Sequence, residues 1–185
     1  MTGPSRQPTY FVSHGGGPWP WMDEMRGPMA GLAQSLREIP QQLPARPAAV
    51  LMVSAHWEEP EFTLMTAERP PMLYDYYGFP PHTYAVRYDA PGSPAVAERV
   101  RELLADAAIA AEPDAERGFD HGTFTPLVIV YPDASVPIVQ LSIREDHDPA
   151  AHLAAGRALA PLRQEGVAIV GSGFSYHNLR RWGAA

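Results

Sequence analysis

Cysteine is absent from this 185-residue chain. That excludes disulfides and thiolate metal sites, and leaves His, Asp and Glu as the side chains able to hold a transition metal. No apolar run approaches the ~20 residues that cross a bilayer. The opening MTGPSRQPTYF lacks the apolar core of a secretory signal. Runs of Lys or Arg are missing too: 14 basic residues stand against 21 acidic ones, a formal net charge of −7. These absences argue against nucleic acid or an anionic membrane as a partner, and make the cytoplasm the expected location. With 45% hydrophobic and 19% charged residues, the composition is that of a folded domain. No repeat or shift of composition divides residues 1–185, so one domain is expected.

Proline, by contrast, is plentiful at 21 residues and falls mainly between the periodic segments, which implies long shaped loops. Short apolar runs read as strands over Thr9–Ser13, Ala48–Ser54, Phe62–Thr66, Val136–Ser142 and Val167–Gly171. Helical spacing predicts a helix over Pro28–Ile39, with Met29, Leu32, Ala33, Leu36 and Ile39 on one stripe. A second opens with Ser93 as N-cap and Pro94 in its first turn. A third opens at Asp148-Pro149 and is expected to close at Gly166. Phe124–Tyr131 is apolar and ambiguous between strand and helix. Strands alternate with helices, and the strand interiors are apolar without alternation. The expected fold class is therefore α/β, a layered fold with a mainly parallel or mixed central sheet flanked by helices.

Seven histidines carry the chemistry-bearing pattern. His14 follows the first strand in FVSHGGGP, His56 follows the second in SAHW, and His177 lies just past the last in GSGFSYHN. Parallel sheets bind ligands beyond the carboxyl ends of their strands, so these three can converge on a divalent metal. The alternative is that each merely hydrogen-bonds a loop carbonyl. His121, in GFDHG, sits between glycines, where an exposed imidazole can transfer protons and Asp120 is a candidate to orient it. A loop-capping histidine is the competing reading. His147 reads as solvated, His152 as helical, and His82 as a surface residue of the aromatic loop Pro70–Pro91. The rings of that loop fit either a pocket for a flat substrate or packing of the loop on the sheet.

HGGG also occurs in esterase oxyanion loops, but no serine here has the G-x-S-x-G elbow: Ser175 lies in Gly173-Phe174-Ser175-Tyr176-His177. Phosphate-cradling glycine motifs are missing as well. A metal site is the better-supported chemistry.

In order along the chain, FVSHGGGP, VLMVSAHWEE, YDYYGFPPHTYAVRYDAPGSP, GFDHGTFTPL, YPDASVPIVQLSI and GSGFSYHNLR resemble the LigB-type extradiol ring-cleavage dioxygenases, in their DOPA 4,5-dioxygenase-like branch. The resemblance implies a mononuclear non-haem metal, Fe(II) for ring cleavage with Zn(II) as another occupant, and a catechol and O₂ as substrates. It makes His14 and His56 metal ligands, His177 a ligand with a catalytic role, and His121 the residue for substrate binding and proton transfer. It also implies that the C-terminal part of the family, with a further His or Glu ligand, is lacking, because no histidine follows His177 and no carboxylate follows Glu165. Completion of the site by a homo-oligomer stays open on this reading. So do a metal-binding protein of this fold without ring cleavage, and a zinc-dependent hydrolase.

Overall fold

A computed structural model describes residues 6–174. In chain order it contains β1 (Thr9–Val12), α1 (Asp23–Arg26), α2 (Ala30–Gln42), β2 (Ala49–Glu59), β3 (Phe62–Met65), α3 (Pro94–Asp106), β4 (Ala111–Asp114), α4 (His121–Val130), β5 (Ile138–Arg144), α5 (Pro149–Ala158) and β6 (Val167–Ser172). The sheet order is β1-β6-β2-β5-β3-β4. β1, β6, β2 and β5 run parallel, β3 is antiparallel to β5, and β4 is parallel to β3. The expected mainly parallel, mixed sheet is what forms.

Alternate residues of the central strand face two different cores. Val50 and Met52 of β2 join Leu36, Ile39, Phe124 and Leu127 on the side of α2 and α4. Ala49 and Leu51 join Val100, Leu104 and Leu162 on the side of α3. Both faces are covered, so the run AVLM has no reason to alternate. The helix ends follow local chemistry. Ser93 accepts a hydrogen bond from the Val96 amide, and Asp148 accepts one from Ala150. The α5 pattern stops earlier than expected: Pro161 carries no amide hydrogen, and a short 3₁₀ turn over Ala160–Arg163 replaces the last turns. Gly166 adopts φ +87° at the entrance to β6.

The ambiguous Phe124–Tyr131 segment belongs to α4, which begins at His121 and is buried over most of its length. That explains its lack of an amphipathic stripe. β4 was not expected. Its sequence, AEPD, is an edge strand with an exposed Pro113, and it offers no apolar run to read. Among the described residues no helix is long and apolar enough to cross a membrane.

Candidate metal centre

The site forms where β1 and β6 end and α4 begins, beside an irregular stretch of β2; that strand runs on to Glu59, so His56 lies within it and not past its end as expected. His14 stands two residues past β1. β2 shifts register against β5 between Val53 and Glu58, so residues 54–57 depart from that ladder. A bulge at a sheet end re-aims side chains, and here it carries His56. Ser54 still pairs with Ser172 of β6. Asp120 caps α4 by accepting from the Thr123 amide at 3.1 Å. The cap sets His121 as the first helical residue.

One ring nitrogen each from His14, His56 and His121 lie within 4.8 Å of one another, the one group of this kind among the described residues. Nε2 of His14 is 3.0 Å from Nε2 of His56. The ring centroids of His56 and His121 are 4.0 Å apart. His14 is buried, 1% exposed, and His121 is buried with it.

Hydrogen bonds assign the ring protons. The Ser172 hydroxyl donates to the carbonyl of Gly122. Its oxygen is then left to accept from Nδ1–H of His14 at 3.1 Å, so Nε2 of His14 carries the lone pair. Pro126, four residues beyond Gly122, has no amide hydrogen to give that carbonyl, which is why it can serve Ser172. Asp75 acts on the other two rings. Its Oδ2 accepts from Nδ1 of His121 at 2.9 Å and lies 3.4 Å from Nδ1 of His56. Its Oδ1 accepts from the His121 backbone amide at 2.8 Å. Burial works to raise the Asp75 carboxyl. The hydrogen bonds and charge of His121, with a smaller pull from His56, outweigh it and leave the group below the ordinary carboxylate range.

Nε2 of His14, which carries the lone pair, therefore faces Nε2 of His56. With Nδ1 of His56 turned to the Asp75 carboxylate, both facing nitrogens can serve as donors to one cation. Two nitrogen ligands ~2.1 Å from one cation and at right angles to each other stand ~3.0 Å apart, so the pair fits a transition metal. Neutral imidazoles suit Fe(II) and Zn(II) alike, and His14 and His121 each have the far nitrogen hydrogen-bonded.

Of the expected site residues, His14, His56 and His121 come together, and His177 lies outside the described residues. Asp120 does not orient His121. It turns away, accepts from Ser54 at 2.7 Å and pairs with Arg117 at 2.7 Å. Asp75 takes the role proposed for it. Glu58 pairs with His147, and Glu59 accepts from the Trp57 indole. His82 meets the Trp21 carbonyl, and His152 holds the backbone at Asp148 and Arg144. Gly15 and Gly17 are required by backbone and packing. Both have positive φ, +77° and +52°, and the space of their missing Cβ atoms is filled by Trp19 and Phe79. Gly122 is needed for close approach: a Cβ there would sit 2.5 Å from the Ser54 hydroxyl and 3.1 Å from the His56 ring. In the aromatic loop, Tyr88 is buried and Tyr74, Phe79 and Tyr84 pack on the core. The Tyr76 ring stands edge-on to His121 at 5.8 Å.

The profile of the family described as the catalytic LigB subunit of aromatic ring-opening dioxygenase matches residues 8–185. A protein called Dioxygenase tasH, from Hapsidospora irregularis, is 43% identical over 184 residues, covering 94% of this chain and 55% of that protein. The 4,5-DOPA dioxygenase extradiol of Escherichia coli (strain K12) is 41% identical, covering 95% of this chain and 62% of its own length. Its counterpart from Beta vulgaris is 39% identical, with 91% and 62% covered. The crystal structure of an uncharacterized protein from Escherichia coli K12 has a TM-score of 0.74 at 39% identity, covering 96% of this chain and 65% of that one. The chain thus spans between 55% and 65% of the length of these relatives.

Proposed function

The chain belongs to the family of the catalytic LigB subunit of aromatic ring-opening dioxygenases, and from that premise we propose that it is an extradiol dioxygenase opening a catechol ring of the DOPA type with O₂. The observation that supports this most directly is the facing pair of Nε2 atoms on His14 and His56, 3.0 Å apart. We take these two residues, with His177, as the holders of one non-haem metal. Fe(II) is the proposed active metal. Zn(II) binds the same donors and would compete for them.

Fe(II) at this position would supply the redox chemistry that lets O₂ react with the aromatic ring. The protein's own part is proton handling and positioning. A catechol must lose hydroxyl protons before its ring becomes electron-rich enough to be oxidised. Nε2 of His121, the lone-pair nitrogen of the neutral ring whose Nδ1 donates to Asp75, is the group we assign to take one. The Asp75 carboxylate then stabilises the imidazolium. The ring of Tyr76 flanks His121, and its hydroxyl is tied to the Thr83 carbonyl at 2.6 Å. It therefore presents an apolar wall and not a competing acid. In the overall reaction the C–C bond beside the diol breaks, both oxygen atoms of O₂ enter the product, and an aldehyde and a carboxylate are formed. The cysteine-free sequence is in keeping with a cytoplasmic location.

A second reading rests on the 4.8 Å cluster itself, in which His121 is a third metal ligand and not a base. One experiment addresses the function and separates the roles. Protein loaded with Fe(II) under anaerobic conditions is mixed with catechols and air, and a yellow ring-opened product is followed with O₂ uptake. His14→Ala and His56→Ala are expected to lose bound metal, whereas His121→Ala keeps the metal and loses turnover. Absence of product from every catechol tried, at verified iron occupancy, would overturn the proposal. Metal loss in His121→Ala would favour the second reading.

A further inference from the structure

We propose that Asp75 is a positioning residue that keeps a proton on Nδ1 of His121, and that the backbone amide of His121 fixes which way the Asp75 head group is turned. The inference rests on the reading of the His14–His56–His121 cluster as the reaction centre.

Asp75 lies in the aromatic loop, 46 residues before His121, and reaches it twice. Oδ1 accepts from the backbone N–H at 2.8 Å, and Oδ2 accepts from ring Nδ1 at 2.9 Å. The two contacts do different work. A backbone amide can only donate, so whatever group occupies this position must turn an acceptor toward it. Imidazole is less strict: Nδ1 donates in one tautomer and accepts in the other. With a carboxylate both head-group atoms are acceptors, so the ring must donate, and the lone pair of the neutral ring moves to Nε2.

An amide at this position would behave differently although it has the same shape. The backbone N–H of His121 would hold the amide oxygen, and the NH₂ would be forced toward the ring. Nδ1 would then have to accept, and the proton would move to Nε2, where it blocks proton abstraction. The same NH₂ would face Nδ1 of His56, which lies 3.4 Å from Oδ2, and a donor there favours the proton on Nε2 of that ligand, which lowers metal affinity. Asp75→Asn is thus an inversion of tautomer at nearly constant volume. Catalytic triads show the same sensitivity, since an Asp→Asn change beside the histidine there keeps the geometry and costs most of the activity.

The test is long-range ¹⁵N–¹H NMR of the histidine rings in the metal-free protein, at a pH where they are neutral. The wild type is expected to show His121 as the Nδ1–H tautomer and Asp75→Asn to show it as Nε2–H, with unchanged backbone shift dispersion. Metal affinity, measured by chelator competition, should fall by ~10–100-fold in the variant. An Nε2–H tautomer of His121 in the wild type overturns the inference even if the variant does not fold. So does an Nδ1–H tautomer retained in a folded Asp75→Asn protein. These readouts need no turnover. A tautomer that inverts as expected, in a protein whose iron form opens no catechol, would overturn the functional reading and leave the role of Asp75 standing.

Discussion

Pro126 leaves the carbonyl of Gly122 without its helical donor, and that carbonyl holds the Ser172 hydroxyl, which sets the ring proton of His14. A helix defect is therefore wired to a candidate ligand through one serine. Pro126→Ala restores an amide hydrogen four residues after Gly122. The new helical bond competes for the carbonyl, and the released hydroxyl can donate to Nδ1 of His14, which puts the proton on Nε2. Metal affinity is expected to fall by up to ~10-fold, the lower end of what outer hydrogen-bond partners contribute. Ser172→Ala, which removes the link altogether, should lose at least as much. Chelator competition measures both. Wild-type affinity in a folded Pro126→Ala protein would show that the carbonyl of Gly122 is not what holds Ser172.

The glycine run after His14 separates two explanations of itself. If the residues serve to keep the reacting side bare, all three should resist a methyl group equally. The geometry says otherwise. Gly15 and Gly17 have positive φ, and an added Cβ would meet the Trp19 indole or, at 2.7 Å, the Phe79 ring. Gly16 has ordinary backbone, and its Cβ would meet only the Met25 methyl at 3.6 Å. Gly15→Ala and Gly17→Ala are expected to lose at least the ~1–2 kcal/mol that left-handed backbone costs an alanine. Gly16→Ala should stay within about 0.5 kcal/mol of wild type. Urea unfolding of the three variants checks this, and equal losses at all three positions would contradict it.

These relationships show what the sequence could and could not reveal. The central strands were legible because a strand covered on both faces writes a continuous apolar run, and Ala49–Met52 does so. β4 was illegible because an exposed edge strand has no such run. His14, His56 and His121 stood out as histidines among glycines or at strand ends. Their partners did not. Asp75 lies in a loop of aromatics and prolines with no periodicity, far in sequence from His121. Ser172 is one small residue just past the strand read over Val167–Gly171, and its part depends on a missing amide in a different element. Asp120 was the visible carboxylate beside His121, yet consecutive residues at a helix start diverge, and its cap to Thr123 turns it toward Ser54 and Arg117.

Alkaline pH offers a check on the core beside α2 and α4 that is independent of metal. Burial pushes the Tyr131 hydroxyl up to about 12, with Arg46 pulling the other way. Burial also raises the hydroxyls of Tyr88 and Tyr76. In an unfolded chain a tyrosine ionises near ~10. The folded state thus holds the proton more tightly than the unfolded one. Below pH ~10 both states are neutral, and the stabilising effect of the buried phenol is fully present. From pH ~10 up through about 12 the unfolded chain ionises first and stability is lost, at up to ~1.4 kcal/mol per pH unit for each such group. Tyr131→Phe keeps the ring beneath Arg46, whose guanidinium carbon is 5.7 Å from its centre, and removes one titrating hydroxyl. Urea unfolding across this window should show stability falling in both proteins, because Tyr88 and Tyr76 remain. The fall should be shallower in the variant by about one proton's worth. Equal slopes in the two proteins would mean that Tyr131 ionises in the folded state as readily as in the unfolded chain, and that its hydroxyl is not desolvated in this core.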